Sequence, residues 1–377
     1  MNNRFQAVRE KIRKKKRLAI LCWIAVAAVL AATLWPFNPF PPNQVRWLRE
    51  ADGIAFDGAG LVISKAPLAV ESTLSQACSL EILLRPATVT SLFTILDFYT
   101  PNNPEQFLVR QWMDGLLVSH DIVDAKGKVK RKKFDVDHAF QSGQLLLITM
   151  VSGPTGTTIY TNGRVAQVFP RFTISPRELA GQIVLGASSV NYGPLAGEVR
   201  GLAIYSTGLT AEQVLNHYER WTGRPEPIPP APPDLSGAIA YYSFSERAGR
   251  EIHNAAVSAP DLEIPKHFSV PHKAMLTSPV KEFQANWDYV KDVVFNVAGF
   301  VPLGVIFCTY FALGRSRGQA ILCATLAGGT LSFTIEVLQA YIPQRVSGMT
   351  DIITNTLGAA IGALLARPSV IRRFLVR

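Results

Sequence analysis

The sequence has few of the residues that build disulfide frameworks and metal sites, with only four cysteines and six histidines among 377 residues. Cys22, Cys308 and Cys323 lie in long apolar runs, which leaves Cys78 alone in the rest of the chain. This distribution excludes a disulfide framework. Cys78 is therefore predicted to be a small buried hydrophobic residue and not a reactive thiol.

Acidic residues are outnumbered, with 28 Asp and Glu against 38 Lys and Arg and a formal net charge of +10. A basic balance indicates nucleic acid or an anionic membrane surface, depending on where the charge lies. The run Lys126 to Lys133 lacks the interleaved aromatics of a nucleic-acid site and is interpreted as a solvated hairpin tip. Other basic clusters border apolar runs, Arg9 to Arg17 before the first and Arg367 to Arg377 after the last. The predicted partner is a lipid bilayer, with no nucleic acid.

Four apolar runs are long enough to suggest membrane helices. Leu18 to Leu34 is unbroken and about the length that crosses ~30 Å of hydrocarbon. A cleavable signal peptide is the alternative for this run, because Val29 to Ala31 offers small residues near a cleavage point. The others are Val293 to Leu313, Gln319 to Ile342 and Ile352 to Ala366. The sequence predicts a four-helix membrane domain.

The basic segments set the expected orientation, because positive residues in short flanking segments face the cytoplasm. With the arm 1–17 inside, four crossings also place the link Gly314 to Gly318 and the tail 368–377 inside. Residues from Trp35 to about Val290, and the loop Pro343 to Thr350, then lie outside. The predicted location is a bacterial cytoplasmic (inner) membrane, crossed several times, with an extracytoplasmic ectodomain.

Between the first and second apolar runs, short β-branched and aromatic stretches alternate with Gly, Pro, Asn and Asp. This spacing predicts an all-β sandwich, assigned to residues 45–224. The pair Asn162-Gly163 predicts a tight hairpin turn. A linker rich in proline, Pro225 to Pro230, follows. The stretch Ala238 to Asn254 has the pattern of the opening strand of another sandwich, so residues 225–287 are interpreted as linker plus membrane-proximal β segment.

Four blocks of the ectodomain carry a family resemblance. They are IAFDGAG (54–60), SLEILLRP (79–86), TTIYTNGRVA (157–166) and LAGEVRGLAIYSTGLTAEQVLNHYERW (195–221). In their order and spacing they resemble the laminin-G-like, concanavalin A-like jelly roll. The resemblance implies an ectodomain that binds a glycan, in some relatives through Ca²⁺, and a packing or protein-contact module is the alternative.

Individual ligand-binding residues of the ectodomain are not evident from the sequence. Its aspartates lack the dense spacing of a calcium-binding loop. They are Asp57, Asp97, Asp114 and Asp121. Trp112 and Tyr192 fit a hydrophobic core and a sugar platform equally well. The binding residues are left unassigned, and Ca²⁺ is the one cofactor that the resemblance suggests.

Polar residues interrupt the C-terminal apolar runs, although a charged group at a membrane helix centre costs roughly 2.5 to 3.5 kcal/mol. They form three pairs whose spacing of three or four residues places both members on one helix face. The pairs are Asp292 with Asn296, Glu336 with Gln339, and Asp351 with Asn355. The expected orientation puts them toward the outer leaflet, where Arg345 is predicted to pair with Glu336 and Asp351.

The same residues lie in the patterns N-x-x-x-F-x-P-x-G, S-x-x-x-E-x-x-Q and D-x-x-x-N-x-x-G, beside the first-helix ending TLWPFNPF (33–40). These motifs resemble the VanZ-like membrane family, named after a glycopeptide-resistance accessory protein. The resemblance implies a membrane domain split into residues 18–40 and 288–367 around an inserted sandwich. It implies a setting in the cell envelope and no particular reaction. The matching positions are Asn296, Pro302, Gly304, Glu336, Gln339, Arg345, Asp351, Asn355 and Gly358.

Two functional hypotheses follow. In the first, a non-enzymatic envelope protein recognises a glycan or protein partner through its sandwich, and its helices form a polar site for a lipid-linked sugar. In the second, a membrane enzyme acts on a lipid-linked envelope precursor with Glu336 or Asp351 as general base or metal ligand. No His or Cys accompanies these carboxylates, which favours the first hypothesis. Hydrogen bonding between helices packed through small residues is the purely structural alternative for the polar pairs.

Overall fold

The computed structural model describes residues 2–70, 76–123, 129–190, 193–223, 234–256, 258–283 and 285–366. The chain divides into two compact units. One is Phe40–Lys273, and the other combines Met1–Pro39 with Ala274–Arg377. Tyr192, the start of the basic run at Lys126, the proline-rich linker and the basic tail lie outside the described residues.

The unit Phe40–Lys273 is a β-sandwich. In the described part of the chain its strands are β1 (Val45–Trp47), β2 (Ile54–Asp57), β3 (Val62–Ser64), β4 (Cys78–Pro86), β5 (Leu92–Thr100), β6 (Asn103–Trp112), β7 (Gly115–Val123), β8 (Val129–Val136), β9 (Leu146–Gly153), β10 (Gly156–Thr161), β11 (Arg164–Phe169), β12 (Gln182–Leu185), β13 (Ala196–Tyr205), β14 (Ala238–Tyr242), β15 (Glu251–Ile252) and β16 (Leu262–Glu263). They form two antiparallel sheets. One has the order β1-β2-β13-β4-β9-β10-β11 with β14 also paired to β13, and the other has the order β15-β16-β3-β12-β5-β6-β7-β8.

The sandwich core lies between the inner faces of the two sheets, where alternate strand residues meet. Phe98 and Phe107 from one sheet and Ile82 and Ile148 from the other are fully buried in it. Cys78 is 2% exposed in the same core, and burial raises the pKa of its thiol to about 12. The predicted burial of Cys78 is confirmed, its lack of reactivity stays a prediction, and all four cysteines are free.

The outer face of the first sheet is covered by helix α2 (Ala211–Thr222). Thr210 caps this helix, accepting a hydrogen bond from the backbone of Gln213. His217 of α2 reaches the fully buried Glu81 on β4, with 2.9 Å between Nδ1 and Oε2. The Tyr205 hydroxyl donates to the same oxygen, and the Thr149 hydroxyl donates to Oε1. Because a buried carboxylate without partners would be costly, this network fixes α2 against the sheet.

Two sequence interpretations of the sandwich meet different outcomes. The Asn162-Gly163 turn is confirmed: both residues have positive φ, 51° and 77°, and Thr161 faces Arg164 across the β10–β11 hairpin. The basic run was interpreted as a hairpin tip, yet its described residues from position 129 onward form strand β8.

The stretch Ala238 to Asn254 does not open a second sandwich. Strand β14 pairs with β13, and β16 pairs with β3. These strands therefore extend the two sheets of the same sandwich that β1 to β13 form. Tyr242 and Phe244 are fully buried in its core. The prediction was wrong because edge strands of one sheet can be distant in sequence, and the alternating pattern does not specify the partner strand.

The other unit is helical. Its described helices are α1 (Asn2–Leu34), α3 (Pro279–Glu282), α4 (Trp287–Phe311), α5 (Arg317–Ala340) and α6 (Met349–Leu365). Within the described residues, three segments are long and apolar enough to cross a membrane by length and composition, namely Ile12–Leu34, Trp287–Phe311 and Arg317–Ala340. Helix α6 is a shorter apolar helix of 17 residues. The count of four membrane helices therefore stays a prediction.

Helices α4 and α6 pack backbone to backbone. A Cβ atom added at Gly358 or Gly362 would collide with the carbonyl oxygens of Val297 and Val301, and one at Gly304 would collide with the carbonyl of Ala359. Such small residues let membrane helices approach closely without large interlocking side chains. The glycines of the apolar runs thus bring the polar residues of neighbouring helices within hydrogen-bonding distance.

Candidate functional site

Two carboxylates hold the start of α6 in the helical unit. The backbone N–H of Gly348 donates to Oε2 of Glu336 at 2.7 Å, and that of Thr350 donates to Oε2 of Glu282 at 3.0 Å. The Thr350 hydroxyl also donates to Glu282. The first N–H groups of a helix lack intrahelical acceptors and carry partial positive charge, which favours acidic partners. Glu336, only 1% exposed, therefore acts as a cap for α6.

The end of α1 is held by the two polar residues that follow Glu336 in the motif. The Gln339 amide donates to the Thr33 carbonyl at 3.1 Å, and the Arg345 guanidinium donates to the Trp35 carbonyl at 2.9 Å. Carbonyls at a helix C-terminus lack intrahelical donors and carry partial negative charge, so a cation and an amide N–H stabilise this end.

Two further bonds join the helices. The Asn296 amide on α4 donates to Oδ1 of Asp351 on α6 at 2.7 Å. The Asn355 amide on α6 donates to the Ser332 hydroxyl on α5 at 2.9 Å. The other polar atom of Asn355, Oδ1, is buried and has no hydrogen-bond partner among the described residues. The structure therefore brings Asn296 with Asp351, and Asn355 with Ser332, into direct contact.

The predicted pairing of Arg345 with the carboxylates is not formed. Among the described residues no ion pair joins Arg345 to Glu336 or Asp351, and its guanidinium bonds the Trp35 carbonyl instead. The prediction assumed that only an opposite charge could stabilise a charged side chain at a membrane boundary. Here the free backbone N–H and C=O groups at helix ends bond the charged side chains instead. Every residue carries these groups, so the sequence does not show which of them is free.

A cleft of about 530 Å³ opens beside the start of α6. Asp292 and Asp351 line it, and Asp292 is exposed. Glu282 and Lys281 of α3 lie on the same cleft. Glu336 and Asn355 do not line it. Sequence reasoning missed Glu282, which lies outside the apolar runs; its signal was the Ser-Pro-x-x-Glu pattern of a helix start.

The described residues do not offer a metal site. No group of three His, Cys, Asp or Glu side chains in the described ranges could hold an ion. In the sandwich, Asp57 pairs with Arg46, Asp114 with His138 and Asp121 with Arg131. These aspartates are separate and already bonded, so they do not form a Ca²⁺ cage. A Ca²⁺ requirement remains a prediction of the resemblance alone.

The fourth aspartate, Asp97, is fully buried on β5. Its Oδ2 accepts the backbone N–H of Ser189 at 2.7 Å, and Oδ1 has no partner among the described residues. Burial raises the pKa of this carboxyl to about 7, because the charged form is poorly solvated, and the Ser189 bond opposes the shift. Asp97 is therefore a buried structural group.

The sandwich has a larger cleft, about 570 Å³, lined by His120 of β7 and Lys132 of β8. A smaller groove of about 180 Å³ lies at Trp112, whose side chain is 56% exposed. Trp112 is therefore not part of the core, which leaves the sugar-platform interpretation of that residue open to test.

Two family models match the chain. Residues 238–373 match VanZ/LLP1, and residues 61–215 match the concanavalin A-like lectin/glucanases superfamily. The chain combines a VanZ-like domain with a concanavalin A-like jelly roll. Both resemblances predicted from the motifs are thus confirmed. The VanZ-like match begins at the first residue of β14, which folds as part of the sandwich. No curated protein matches the chain.

Several solved structures align with part of the chain at low sequence identity. The receptor-binding domain of botulinum neurotoxin C/D mosaic serotype is 16% identical over 47% of this chain and 45% of its own, with a TM-score of 0.36. A protein from Bacteroides ovatus described as carbohydrate-binding is 14% identical over 58% of this chain and 60% of its own, with a TM-score of 0.39. A pentraxin from Limulus polyphemus is 15% identical over 61% and 95%, with a TM-score of 0.36. The chain thus covers less than two thirds of the length of the neurotoxin domain and of the Bacteroides ovatus protein.

Proposed function

We propose that this protein is a non-enzymatic, multi-pass membrane protein of the bacterial cell envelope. Its jelly roll binds a glycan or a protein partner outside the cytoplasm, and its VanZ-like helices present a polar site to the sugar of a lipid-linked glycan at the outer leaflet. The proposal joins the two domain assignments with the polar cleft beside α6.

The four-crossing topology is supported by charge as well as by apolarity. Three helices have the length and composition of membrane spans, and α6 is apolar over 17 residues. Such a helix is at the short end of the spanning range, about 17 to 25 residues. Arg315 lies between α4 and α5, and Arg317 is the first residue of α5; both are on the side that the positive-inside rule assigns to the cytoplasm together with the N-terminal arm.

The observation that carries the membrane site is the cleft lined by Asp292 and Asp351. Ionised carboxylates accept hydrogen bonds from sugar hydroxyls, and charge-assisted bonds of this kind are stronger than neutral ones. The same carboxylates, together with Glu282, repel phosphate groups. We therefore assign the sugar of a lipid-linked glycan, and not its phosphate, to this cleft.

The geometry does not favour the enzymatic alternative. Glu336 is 1% exposed, does not line the cleft, and accepts the Gly348 N–H. A general base must reach the proton that it removes. Asp351 does line the cleft, but Asn296 already donates to its Oδ1.

Binding of a polyprenyl-diphosphate disaccharide to the full chain in nanodiscs tests the membrane site, with native mass spectrometry as the readout. Asp292→Asn should weaken binding roughly tenfold, because hydrogen bonds to charged groups contribute about 1.5 to 3 kcal/mol. The matched control Arg317→Gln removes a charge from the first residue of α5, which does not line the cleft, and should leave affinity unchanged. Equal affinities for both variants and the parent would contradict the assignment.

The sandwich is tested separately with the fragment Phe40–Lys273 on an array of oligosaccharides. Binding of a defined glycan class supports the glycan-recognition role. Binding of no glycan, combined with capture of a protein from envelope extracts, would instead favour the partner-protein role.

A further inference from the structure

Exposed aromatic side chains gather at one end of the helical unit. Helices α1 and α5 end there and α4 and α6 begin there, as the bonds between these helices described above require. The link between α4 and α5, which contains Arg315, lies at the opposite end. Trp and Tyr are enriched where membrane helices meet the lipid headgroups. The aromatic residues of the first end, each more than half exposed, are Trp35, Phe37, Phe283, Trp287 and Tyr341, and together they form an aromatic belt.

The segment before α4 is fixed to the start of α6 through its backbone. The N–H of Thr277 donates to the Ser347 carbonyl at 3.0 Å, and the Thr277 carbonyl accepts the N–H of Met349 at 2.9 Å. The Glu282 carboxylate of α3 accepts both the N–H and the hydroxyl of Thr350. These bonds hold α3 in one position, so its exposed side chains belong to a fixed surface of the helical unit.

The residues of α3 divide between the protein and its surroundings. Val280 and Glu282 are two positions apart and so lie on opposite sides of the helix, with Glu282 toward α6. Val280 is 88% exposed, and Phe283, directly after the helix, is exposed as well. The Phe283 ring makes an edge contact with Tyr289 of α4, with 5.5 Å between centroids. Large apolar side chains are more stable out of water, so this side of α3 indicates an apolar partner.

A lipid bilayer is the partner that continues from α3 without a break. Helix α4 begins at Trp287, shortly after Phe283, and its first turns expose Val290, Val294 and Phe295. This helix is long and apolar enough to cross a membrane. The apolar side of α3 therefore leads directly into the surface of α4 that lipid covers in a spanning helix, and the aromatic belt marks the level of the headgroups.

We propose that residues 278–283 form an interfacial anchor, in which Val280 and Phe283 insert into the boundary between headgroups and acyl chains of the outer leaflet while Glu282 stays bonded to α6. The inference rests on the proposed outer-leaflet position of this end of the helices, and it adds a membrane contact that four crossings do not require. Because Glu282 lines the same cleft as Asp292, the anchor places that cleft at the level of the headgroups. A lipid-linked ligand then reaches the cleft along the membrane surface.

Photo-crosslinking of the full chain in nanodiscs of phosphatidylethanolamine and phosphatidylglycerol tests the anchor. The photoreactive residue p-benzoylphenylalanine replaces Val280 or Phe283. On irradiation its ketone carbon bonds covalently to a neighbouring C–H carbon and does not react with water. Both positions are exposed, so the larger ring displaces no packed side chain. Mass spectrometry identifies the bonded partner as a phospholipid or a peptide, and thermal unfolding of each variant checks that the fold is intact.

Two control positions carry the same photoreactive residue. Val294, exposed within α4, is the positive control for lipid contact, and His138, exposed on the sandwich, is the negative control. The yield of lipid adduct at positions 280 and 283 should exceed that at position 138 roughly tenfold, because transfer of an apolar side chain out of water favours the lipid by at least that factor.

The outcomes separate the anchor from the proposed function. Lipid adducts at position 294 but none at 280 or 283 would overturn the anchor and leave the membrane crossings standing. Crosslinks from position 280 to the sandwich or to a second copy of the chain would also overturn it, because protein would then cover the apolar side of α3. Equal lipid yields at positions 138 and 280 would show unspecific contact and defeat the anchor. Absence of lipid adducts at position 294 as well would contradict the proposed membrane topology itself.

Discussion

The two units compensate their buried or partly buried glutamates in different ways. In the sandwich, Glu81 meets His217 and Glu178 meets His120, although the buried aspartate Asp97 accepts a backbone N–H. In the helical unit, Glu282 and Glu336 meet backbone N–H groups. Sheets satisfy nearly all of their backbone groups internally, whereas every helix leaves four free at each end. A charged residue in an apolar helical region is therefore not by itself evidence of a catalytic site, because it can serve to bond a helix end.

The largest expected effect is the loss of stability when strands β14 to β16 are removed from the sandwich. The fragment Pro41 to Arg224 lacks β14 to β16 and loses the fully buried side chains of Tyr242, Phe244 and Leu262. Each such side chain contributes about 1.5 to 3 kcal/mol, and the total stability of a domain is only about 5 to 15 kcal/mol. We expect Phe40–Lys273 to unfold cooperatively and the shorter fragment to be largely unfolded by circular dichroism. A shorter fragment of equal stability would show that these strands are dispensable.

In both units the sequence predicts the local structure but not the long-range contacts. The jelly roll, the VanZ-like helices and the Asn162-Gly163 turn follow from local patterns and motifs. The attachment of β14 to β13 does not, because pairing depends on non-local register. For the polar site, spacing identifies Asn296 and Asp351 as residues that need partners. It cannot assign Arg345 to the Trp35 carbonyl, because backbone acceptors occur at every position.

The next effect concerns packing of the helical unit. Gly358→Val places a side chain where the Val297 carbonyl lies, which should force α4 and α6 apart and prevent assembly of a stable protein. Gly299→Val is the matched control, because a Cβ atom at Gly299 meets nothing within 4 Å. Yield and melting temperature of the purified protein are the measurements. Similar losses in both variants would indicate a general intolerance of valine in α4 and α6.

A smaller effect is expected from the buried acid of the sandwich. The pKa of Asp97 is about 7 in the fold and 3.8 without burial, so the folded state binds the proton more tightly. The contribution of protonated Asp97 to the free energy of unfolding is therefore fully present below about pH 4. It is lost as the pH rises through about 7, and the total loss is up to ~4 kcal/mol. Asp97→Asn keeps an acceptor for the Ser189 N–H but cannot ionise.

The fragment Phe40–Lys273 with Asp97→Asn should therefore lose less stability than the parent between pH 5 and pH 8. Asp114→Asn, at a half-exposed position paired with His138, is the control for a surface carboxylate. Urea unfolding at both pH values measures the difference. Parallel pH profiles for the parent and Asp97→Asn would show that Asp97 does not ionise differently in the fold.

The smallest expected effect distinguishes a helix cap from a catalytic carboxylate. If Glu336 serves α6 by accepting the Gly348 N–H, Glu336→Gln retains an oxygen acceptor and should lower stability by about 1 kcal/mol or less. Glu336→Ala leaves that N–H without its partner and should cost about 1 to 3 kcal/mol. Glu282→Gln, at the neighbouring cap on Thr350, should behave like Glu336→Gln. Melting temperature and binding of the polyprenyl-diphosphate disaccharide are measured for each variant. A Glu336→Gln protein that keeps its melting temperature but loses a lipid-dependent activity would break the comparison, because a cap needs an acceptor whereas acid–base chemistry needs a proton that can leave.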